Sequence, residues 1–294
     1  MLEPARQGTR GTASLRQRRP RVRTVAILPT LITLGNAVCG LLAVIYIAKG
    51  MGAVSETAKL AEFAHAAYLI LIAMIFDALD GKVARMTRTA SNFGTQLDSL
   101  CDFLTFGFVP AFLTYGLCHD GAFGYRVVLV VSAFYMCLAA TRLARFNVET
   151  GTEEKYHREF TGLPTPAAAG VIATIVIPWL KIESNWAWAK GASAFLQDGL
   201  PVVAFFLGIL MVSRIAYPHL LNKLLRGPRP VVTLVEVLVV GVLAVILHQF
   251  VLFLAFAIYA LLGPILWLRG RLFRRAGGAA RTSASEPPAG DPLF

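Results

Sequence analysis

The chain has 294 residues, of which 56% are hydrophobic and 15% are charged. Soluble domains have about 45–50% apolar and about 25% charged residues, so this composition excludes an ordinary soluble protein. A formal net charge of +11 would suggest nucleic acid as the partner of a soluble protein. In a membrane protein such an excess is better explained by orientation signals and contact with anionic lipid, so we do not expect nucleic acid as a partner.

The apolar residues fall in blocks of about 20, the length that crosses a hydrocarbon core of about 30 Å. The blocks do not alternate as the strands of a transmembrane β-barrel do. In chain order, eight candidate spans cover residues 25–48, 61–83, 96–117, 124–146, 164–180, 200–215, 231–247 and 250–268. The fold class predicted from this pattern is an all-α, polytopic bundle of transmembrane helices.

The distribution of positive charge predicts the orientation of these spans. With the N-terminus in the cytoplasm, the outer side receives only five of the 28 Lys and Arg residues, namely Lys49, Lys59, Arg126, Lys181 and Lys190. Cytoplasmic loops of membrane proteins carry an excess of Lys and Arg. The pattern therefore predicts an even number of spans with both termini in the cytoplasm.

Composition also predicts how the chain is divided. Residues 1–24 are predicted to be a basic cytoplasmic or interfacial segment, and residues 25–225 are predicted to be the main transmembrane domain. Residues 226–270 form a C-terminal hairpin. Residues 271–294 are first basic, then polar and Pro-rich, which is typical of a disordered tail.

Four aspartates lie around the second and third predicted spans. Asp77 and Asp80 are three residues apart near the end of one span, and Asp98 and Asp102 are four apart at the start of the next. Residues with these spacings share one face of a helix. A short connection over residues 86–94 allows the two helices to be antiparallel neighbours, so we predict that the four carboxylates converge just inside the membrane.

Converging carboxylates repel one another, and ionisable groups at a bilayer point to function. Hard divalent cations relieve the repulsion, and carboxylate oxygens suit Mg²⁺ or Mn²⁺. Two such ions about 3.5–4 Å apart would clamp the attacking and leaving oxygens of a phosphoryl transfer. The structural alternative is that the aspartates cap helices or pair with Lys82, Arg85 and Arg88. A rival function is a divalent-cation transporter that uses the four carboxylates as its ion site.

The motif reads Asp77-x2-Asp80-Gly81-x2-Ala84-Arg85-x8-Gly94-x3-Asp98-x3-Asp102. It resembles the full signature of the CDP-alcohol phosphatidyltransferases, with no position missing. The resemblance implies a core of six transmembrane helices whose active site opens to the cytoplasm, here followed by the C-terminal hairpin.

The same resemblance assigns roles to the residues of the motif. The four aspartates would hold two divalent ions, Mg²⁺ or Mn²⁺, with Asp98 and Asp102 catalytic and Asp102 the general base. The small residues Gly81, Ala84 and Gly94 would leave room for the cytidine of a CDP-diacylglycerol donor, and Arg85 would support the site. Thr33 and Asn36, in the first span, are further candidates for contact with the nucleotide.

Other stretches resemble one branch of this family, the phosphatidylserine synthases. They are LPTLITLGNAVCGLLA from Leu28, DSLCDFLTFGFVPA, TRLARFNV, FTGLPTPAAAG and MVSRIAYPH, and the resemblance covers about residues 25–225. Thr30 replaces an Asn that this branch usually has. The resemblance implies transfer of the phosphatidyl group of CDP-diacylglycerol to L-serine, with release of CMP. Other acceptors with the same chemistry are glycerol 3-phosphate, inositol phosphate and choline.

Serine as acceptor requires a cation for its carboxylate. Arg142 and Arg145, at the cytoplasmic end of the fourth span, are the first candidates, and Arg214 is the next. Anchoring at the membrane surface explains Arg142 and Arg145 equally well, and it explains Arg214 slightly better than serine binding does. Asn147 suits either the orientation of a neighbouring side chain or a helix C-cap. The expected location is the bacterial inner membrane. Members of the family often form dimers, so the resemblance allows a homodimer.

Overall fold

The structure is a computed structural model that describes residues 27–87, 92–151, 162–185, 192–215, 217 and 248–282. All the regular secondary structure in these ranges is helical, which confirms the all-α prediction. The elements are α1 (Ile27–Met51), α2 (Glu56–Thr87), α3 (Asn92–Asp102), a π-helical segment (Phe103–Phe108), α4 (Val109–Cys118), α5 (Gly124–Gly151), α6 (Thr165–Asn185), α7 (Ala192–Val212) and α8 (His248–Thr282).

The described helices account for seven of the eight predicted spans. Within the described ranges, five stretches are long and apolar enough to cross a membrane, namely Leu28–Met51, Glu56–Ala84, Phe93–Cys118, Gly124–Val148 and Phe250–Trp267. Shorter apolar helices cover Thr165–Pro178 and Gln197–Val212. The seventh predicted span, residues 231–247, lies outside the described residues. The chain is thus an integral membrane protein with a bundle of apolar helices.

The core of the bundle forms where α1 packs along α2. Small residues on the shared face, among them Ala43, Ala66 and Ala67, are fully buried and let the two backbones approach closely. The opposite side of α1 exposes large apolar residues such as Leu31 and Leu41, as expected for a surface that faces lipid. This packing fixes the first helix against the helix that carries Asp77 and Asp80.

The third predicted span is interrupted by the π-helical segment that directly follows Asp102. Within it the backbone N–H of Val109 donates to the carbonyl of Leu104, five residues back. Pro110 has no N–H to donate to the carbonyl of Phe106, four residues back. The buried hydroxyl of Tyr135 on α5 donates to that carbonyl at 3.2 Å instead. The sequence predicted one continuous helix here, and Pro110 is the physical reason for the difference.

The start of α6 is tied to the end of α7 by a strained turn. Gly162 has a φ of +88°, and its N–H donates to the carbonyl of Ile215 at 2.8 Å. The N–H of Leu163 donates to Leu210 at 3.0 Å. A Cβ at position 162 would collide with the carbonyl of Met211, so the turn requires glycine. The turn places Pro164 at the edge of the aspartate cavity described below, and Thr165 follows it as the first residue of α6.

The last helix, α8, docks onto α6 rather than standing apart. The ring of Phe256 lies against Gly170 of α6, and the ring of Tyr217 lies against Gly263 of α8. Tyr217 also donates its hydroxyl to the carbonyl of Ala260 at 3.1 Å. The helix continues to Thr282, past residue 270 where the predicted hairpin ends. The predicted division of the chain into four parts remains a prediction.

Candidate active site

Three of the four signature aspartates form a tight group between α2 and α3. Carboxylate oxygens of Asp77, Asp98 and Asp102 all lie within 4.8 Å of one another. Asp80 lines the same cavity, is only 4% exposed and lies within electrostatic reach of Asp98. The helical spacing explains this geometry, because each helix turns its pair of aspartates toward the other helix.

Several oxygens in this group are buried without a partner. Among the described residues, Asp80 Oδ2, Asp98 Oδ1 and Asn36 Oδ1 have no hydrogen-bond donor. A buried polar atom without a partner costs about 1–3 kcal/mol, and neighbouring negative charges add repulsion. A hard divalent cation would relieve both costs, because the donor set consists of oxygens. The residues present therefore fit a site for Mg²⁺ or Mn²⁺.

Asn36 of α1 holds Asp102, the most buried of the three tightly grouped aspartates. Its Nδ2 donates to Oδ1 of Asp102 at 3.0 Å, and its side chain is fully buried. The backbone carbonyl of Asn36 accepts a hydrogen bond from Thr105 of the π-helical segment at 3.3 Å. The sequence suggested Asn36 as a nucleotide contact, and it did not reveal this hydrogen bond to Asp102. Thr33 is buried one turn earlier, beside Asp80, and donates to Pro29 of its own helix.

The other signature residues are distributed unevenly around the cavity. Gly81 is part of the described lining, whereas Ala84 and Gly94 are not. Ala84 lies on α2, and Gly94 lies in the first turn of α3. Arg85 lies on α2, but its side chain is outside the described residues. Their roles in binding the cytidine remain predictions.

The cavity beside the aspartates has a volume of ≈ 490 Å³. This volume falls within the range of about 300–1,000 Å³ typical of small-molecule sites. Its wall is formed by α2, α3, α5, Pro164, Tyr217 and α8. Each of four sequence stretches contributes one of the lining residues Asp98, Asn147, Pro164 and Tyr217. The four stretches are DSLCDFLTFGFVPA, TRLARFNV, FTGLPTPAAAG and MVSRIAYPH. They are far apart in sequence, yet each contributes to the lining of the same cavity.

Of the three candidate arginines, Arg142 is the one on the cavity wall. Its Nη1 donates to Oγ1 of the fully buried Thr165 at 2.7 Å. The guanidinium also lies within electrostatic reach of Asp77 and Asp102. Arg145 is half-buried on α5 and outside the described lining, and Arg214 follows α7 and is exposed. Thr165 was not a candidate, because a threonine at a helix start carries no signal of its own.

The structure also decides between the two expectations for Asn147. Helix α5 continues to Gly151, so Asn147 is not a C-cap. The hydroxyl of Ser99 lies 3.0 Å from its Oδ1 and 2.9 Å from its Nδ2. Because Ser99 follows Asp98 on α3, this contact joins the aspartate helix to the helix that carries Arg142.

A sequence model of the CDP-alcohol phosphatidyltransferases matches residues 26–214. The chain belongs to the CDP-alcohol phosphatidyltransferase family. All four aspartates, Asn36 and Arg142 of this family member lie within the matched region. Tyr217 and Tyr259 line the same cavity but lie beyond it.

The chain is similar to three named relatives. It is 34% identical to the CDP-diacylglycerol–serine O-phosphatidyltransferase of Helicobacter pylori strain J99. The alignment of 198 residues covers 67% of this chain and 74% of the relative. A protein of the same name from Methanocaldococcus jannaschii is 30% identical over 252 residues, or 85% of this chain and 98% of the relative. The archaetidylserine synthase of Methanothermobacter thermautotrophicus is 33% identical over 201 residues, or 68% of this chain and 72% of the relative.

Proposed function

We propose that this family member transfers the phosphatidyl group of CDP-diacylglycerol to L-serine and releases CMP. The observation that carries the proposal is the position of Arg142, held by Thr165 in the same cavity as the clustered carboxylates. An arginine beside a phosphoryl-transfer centre suits an acceptor that carries a carboxylate. The names of the three relatives, each of which specifies serine or archaetidylserine chemistry, support the same acceptor.

In this proposal the four aspartates hold two divalent ions, Mg²⁺ or Mn²⁺. Asp77, Asp98 and Asp102 supply the tight oxygen group, and Asp80 supplies a further carboxylate from the same wall. When bound, the ions supply positive charge that stabilises the transferring phosphoryl group and its attacking and leaving oxygens. The unpartnered oxygens of Asp80 and Asp98 support this assignment.

The proposed reaction is a displacement at phosphorus. The hydroxyl oxygen of serine forms a bond to the lipid-side phosphorus of CDP-diacylglycerol. The bond from that phosphorus to the bridging oxygen breaks, and the electron pair leaves with CMP. Asp102 accepts the hydroxyl proton. Asn36 orients the carboxylate of Asp102 through the hydrogen bond from Nδ2 to Oδ1. Gly81, on the same wall, leaves space for the cytidine.

The charge of Arg142 favours an anionic acceptor over choline. A guanidinium attracts the carboxylate of serine, and it has no comparable attraction for the cation of choline. Glycerol 3-phosphate and inositol phosphate carry anions and remain the strongest rivals. The serine-like stretches that meet at the cavity favour serine over both.

The orientation is also part of the proposal. The predicted excess of Lys and Arg on one side supports a cytoplasmic position for both termini and for the aspartate cavity, and the proposed location is a bacterial inner membrane. The basic residues of that face would contact anionic lipid headgroups. A lipid donor made on the same face could then reach the cavity from the membrane.

The experiment that tests this function is an acceptor panel with the purified full chain. CMP release is measured with CDP-diacylglycerol and Mg²⁺ or Mn²⁺, and L-serine, glycerol 3-phosphate, inositol phosphate or choline is added separately. Asp98→Asn is the inactive variant, and Asp120→Asn, at an exposed position away from the cavity, is its matched control. The expected result is CMP release with serine and with none of the other acceptors. This release is lost in Asp98→Asn and in the presence of a chelator.

Other outcomes point elsewhere. Release with a different alcohol would keep the aspartate chemistry and exclude serine. If the folded protein released no CMP with any acceptor but took up divalent cations into vesicles, the cation-transporter hypothesis would replace this one.

A further inference from the structure

One wall of the aspartate cavity comes from a helix outside the region that defines the family. Tyr259 of α8 lines the cavity together with Arg142, and the family match ends at residue 214. A residue contributed from outside the shared part of the fold is a candidate for what differs between family members, namely the choice of acceptor. The donor CDP-diacylglycerol is common to the family, so its binding is assigned to the matched region.

The local packing fixes the position of Tyr259. Its neighbour in sequence, Ala260, accepts a hydrogen bond from the hydroxyl of Tyr217 at 3.1 Å. The rings of Tyr217 and Tyr259 lie 5.7 Å apart between centroids, at an angle of 42°. Tyr217 is held in turn by close contact of its ring with Gly263. The hydroxyl of Tyr217 is thus bound to backbone, and the ring of Tyr259 is held beside it at the cavity wall.

The phenol of Tyr259 also lies within electrostatic reach of the Arg142 guanidinium. Arg142 directs Nη1 to Thr165, which leaves its other N–H groups for a ligand. A carboxylate has two oxygens that accept hydrogen bonds, and a phenol supplies a neutral donor. One cation plus one neutral donor suits a singly charged carboxylate better than a doubly charged phosphate.

We propose that Tyr259 is an acceptor-specificity residue whose hydroxyl donates a hydrogen bond to the carboxylate of the acceptor, beside Arg142. This inference rests on the proposed function and extends it to a residue of α8. The alternative is that Tyr259 only packs against Tyr217 and keeps α8 in place. A Tyr259→Phe variant separates the two, because it removes the hydroxyl and keeps the ring.

The test is steady-state CMP release by the full chain with Mg²⁺, CDP-diacylglycerol and L-serine. The variant Tyr259→Phe is expected to raise the KM for serine about 10-fold, the effect of losing one hydrogen bond to a charged group. The KM for CDP-diacylglycerol is expected to stay within about twofold of wild type. The matched control is Tyr125→Phe, an exposed tyrosine at the start of α5 whose hydroxyl pairs with Arg126.

Serinol, which has the hydroxyl and the amine of serine but no carboxylate, provides the second arm. Wild type and Tyr259→Phe are expected to use serinol equally poorly, since the lost hydrogen bond has no partner there. An unchanged KM for serine in Tyr259→Phe, or an equal loss with serine and serinol, would overturn this inference while leaving the proposed function intact. Absence of serine-dependent release in the wild type would overturn the proposed function and this inference together.

Discussion

The amide of Asn36 donates to the carboxylate of Asp102 at 3.0 Å across a sequence separation of 66 residues. Asn36 belongs to α1, and Asp102 is the last residue of α3 before the π-helical segment. Thr105 of that segment donates to the backbone carbonyl of Asn36, so the same residue is bound twice. The first helix thereby orients a carboxylate that the signature places on another helix.

Replacing Asn36 by Ala is expected to lower kcat by about 10- to 100-fold, the usual effect of removing a partner that orients a catalytic or metal-binding carboxylate. The measurement is CMP release with saturating serine and donor. Thr114→Ala is the control, because it removes a buried hydroxyl whose bond stays within its own helix. Equal activity of Asn36→Ala and Thr114→Ala would show that the amide does not orient Asp102.

The cluster of Asp77, Asp98 and Asp102 predicts that the stability of the protein depends on bound metal. Mg²⁺ is expected to raise the unfolding temperature of the wild type, because a ligand that binds only the folded state stabilises it. Asp98→Asn removes one of the clustered charges, so without metal it is expected to unfold at or above the wild-type temperature and to gain less from Mg²⁺. Thermal unfolding in detergent, with and without chelator, measures both.

The control for the metal experiment is again Asp120→Asn, whose carboxylate is exposed. It is expected to gain as much from Mg²⁺ as wild type does. Identical unfolding temperatures of the wild type in Mg²⁺ and in chelator, with unchanged CMP release, would remove the metal site from the account.

The π-helical segment predicts an energetic coupling between two residues. Tyr135→Phe leaves the buried carbonyl of Phe106 without its donor and is expected to destabilise the protein by about 0.5–2 kcal/mol. Pro110→Ala restores a backbone N–H four residues after Phe106. In the Pro110→Ala background, Tyr135→Phe is therefore expected to cost less. Additive effects in this double-mutant cycle would contradict the assigned role of Pro110.

Two glycines with positive φ provide a matched pair for the turn before α6. Gly124 has a φ of +69° and an open position for a Cβ, so Gly124→Ala is expected to cost about 1–2 kcal/mol of backbone strain. Gly162→Ala adds a collision with the carbonyl of Met211 and is expected to be clearly less stable. It is also expected to weaken serine use, because the turn positions Thr165 under Arg142. Equal unfolding temperatures of the two variants would contradict this role for the turn.

Local spacing made much of this architecture predictable. Asp77 and Asp80 are three residues apart, and Asp98 and Asp102 are four apart, so a helical reading already turns each pair to one face. The apolar blocks gave the spans because their length is set by the bilayer. These features depend on residues close together in the chain, so they could be predicted from the sequence.

The remaining features depend on contacts between distant segments. Arg142 and Arg145 are three apart on one helix, and only their contacts in the fold distinguish them: Arg142 donates to Thr165 and lies on the cavity wall, whereas Arg145 is outside the described lining. The pairing of Asn36 with Asp102 has no local pattern at all. Tyr259 reaches the cavity because α8 docks onto α6, and its sequence resembles any apolar span with an aromatic residue.

In the proposed reaction, the hydroxyl oxygen of serine becomes bonded to the lipid-side phosphorus. The most direct measurement uses L-serine labelled with ¹⁸O in its hydroxyl, together with CDP-diacylglycerol and Mg²⁺, and analyses both products by mass spectrometry. The expected result is ¹⁸O in phosphatidylserine, unlabelled CMP in equal amount, and neither product from Asp98→Asn. Phosphatidylserine without the label, or CMP formed without any phosphatidylserine, would contradict it.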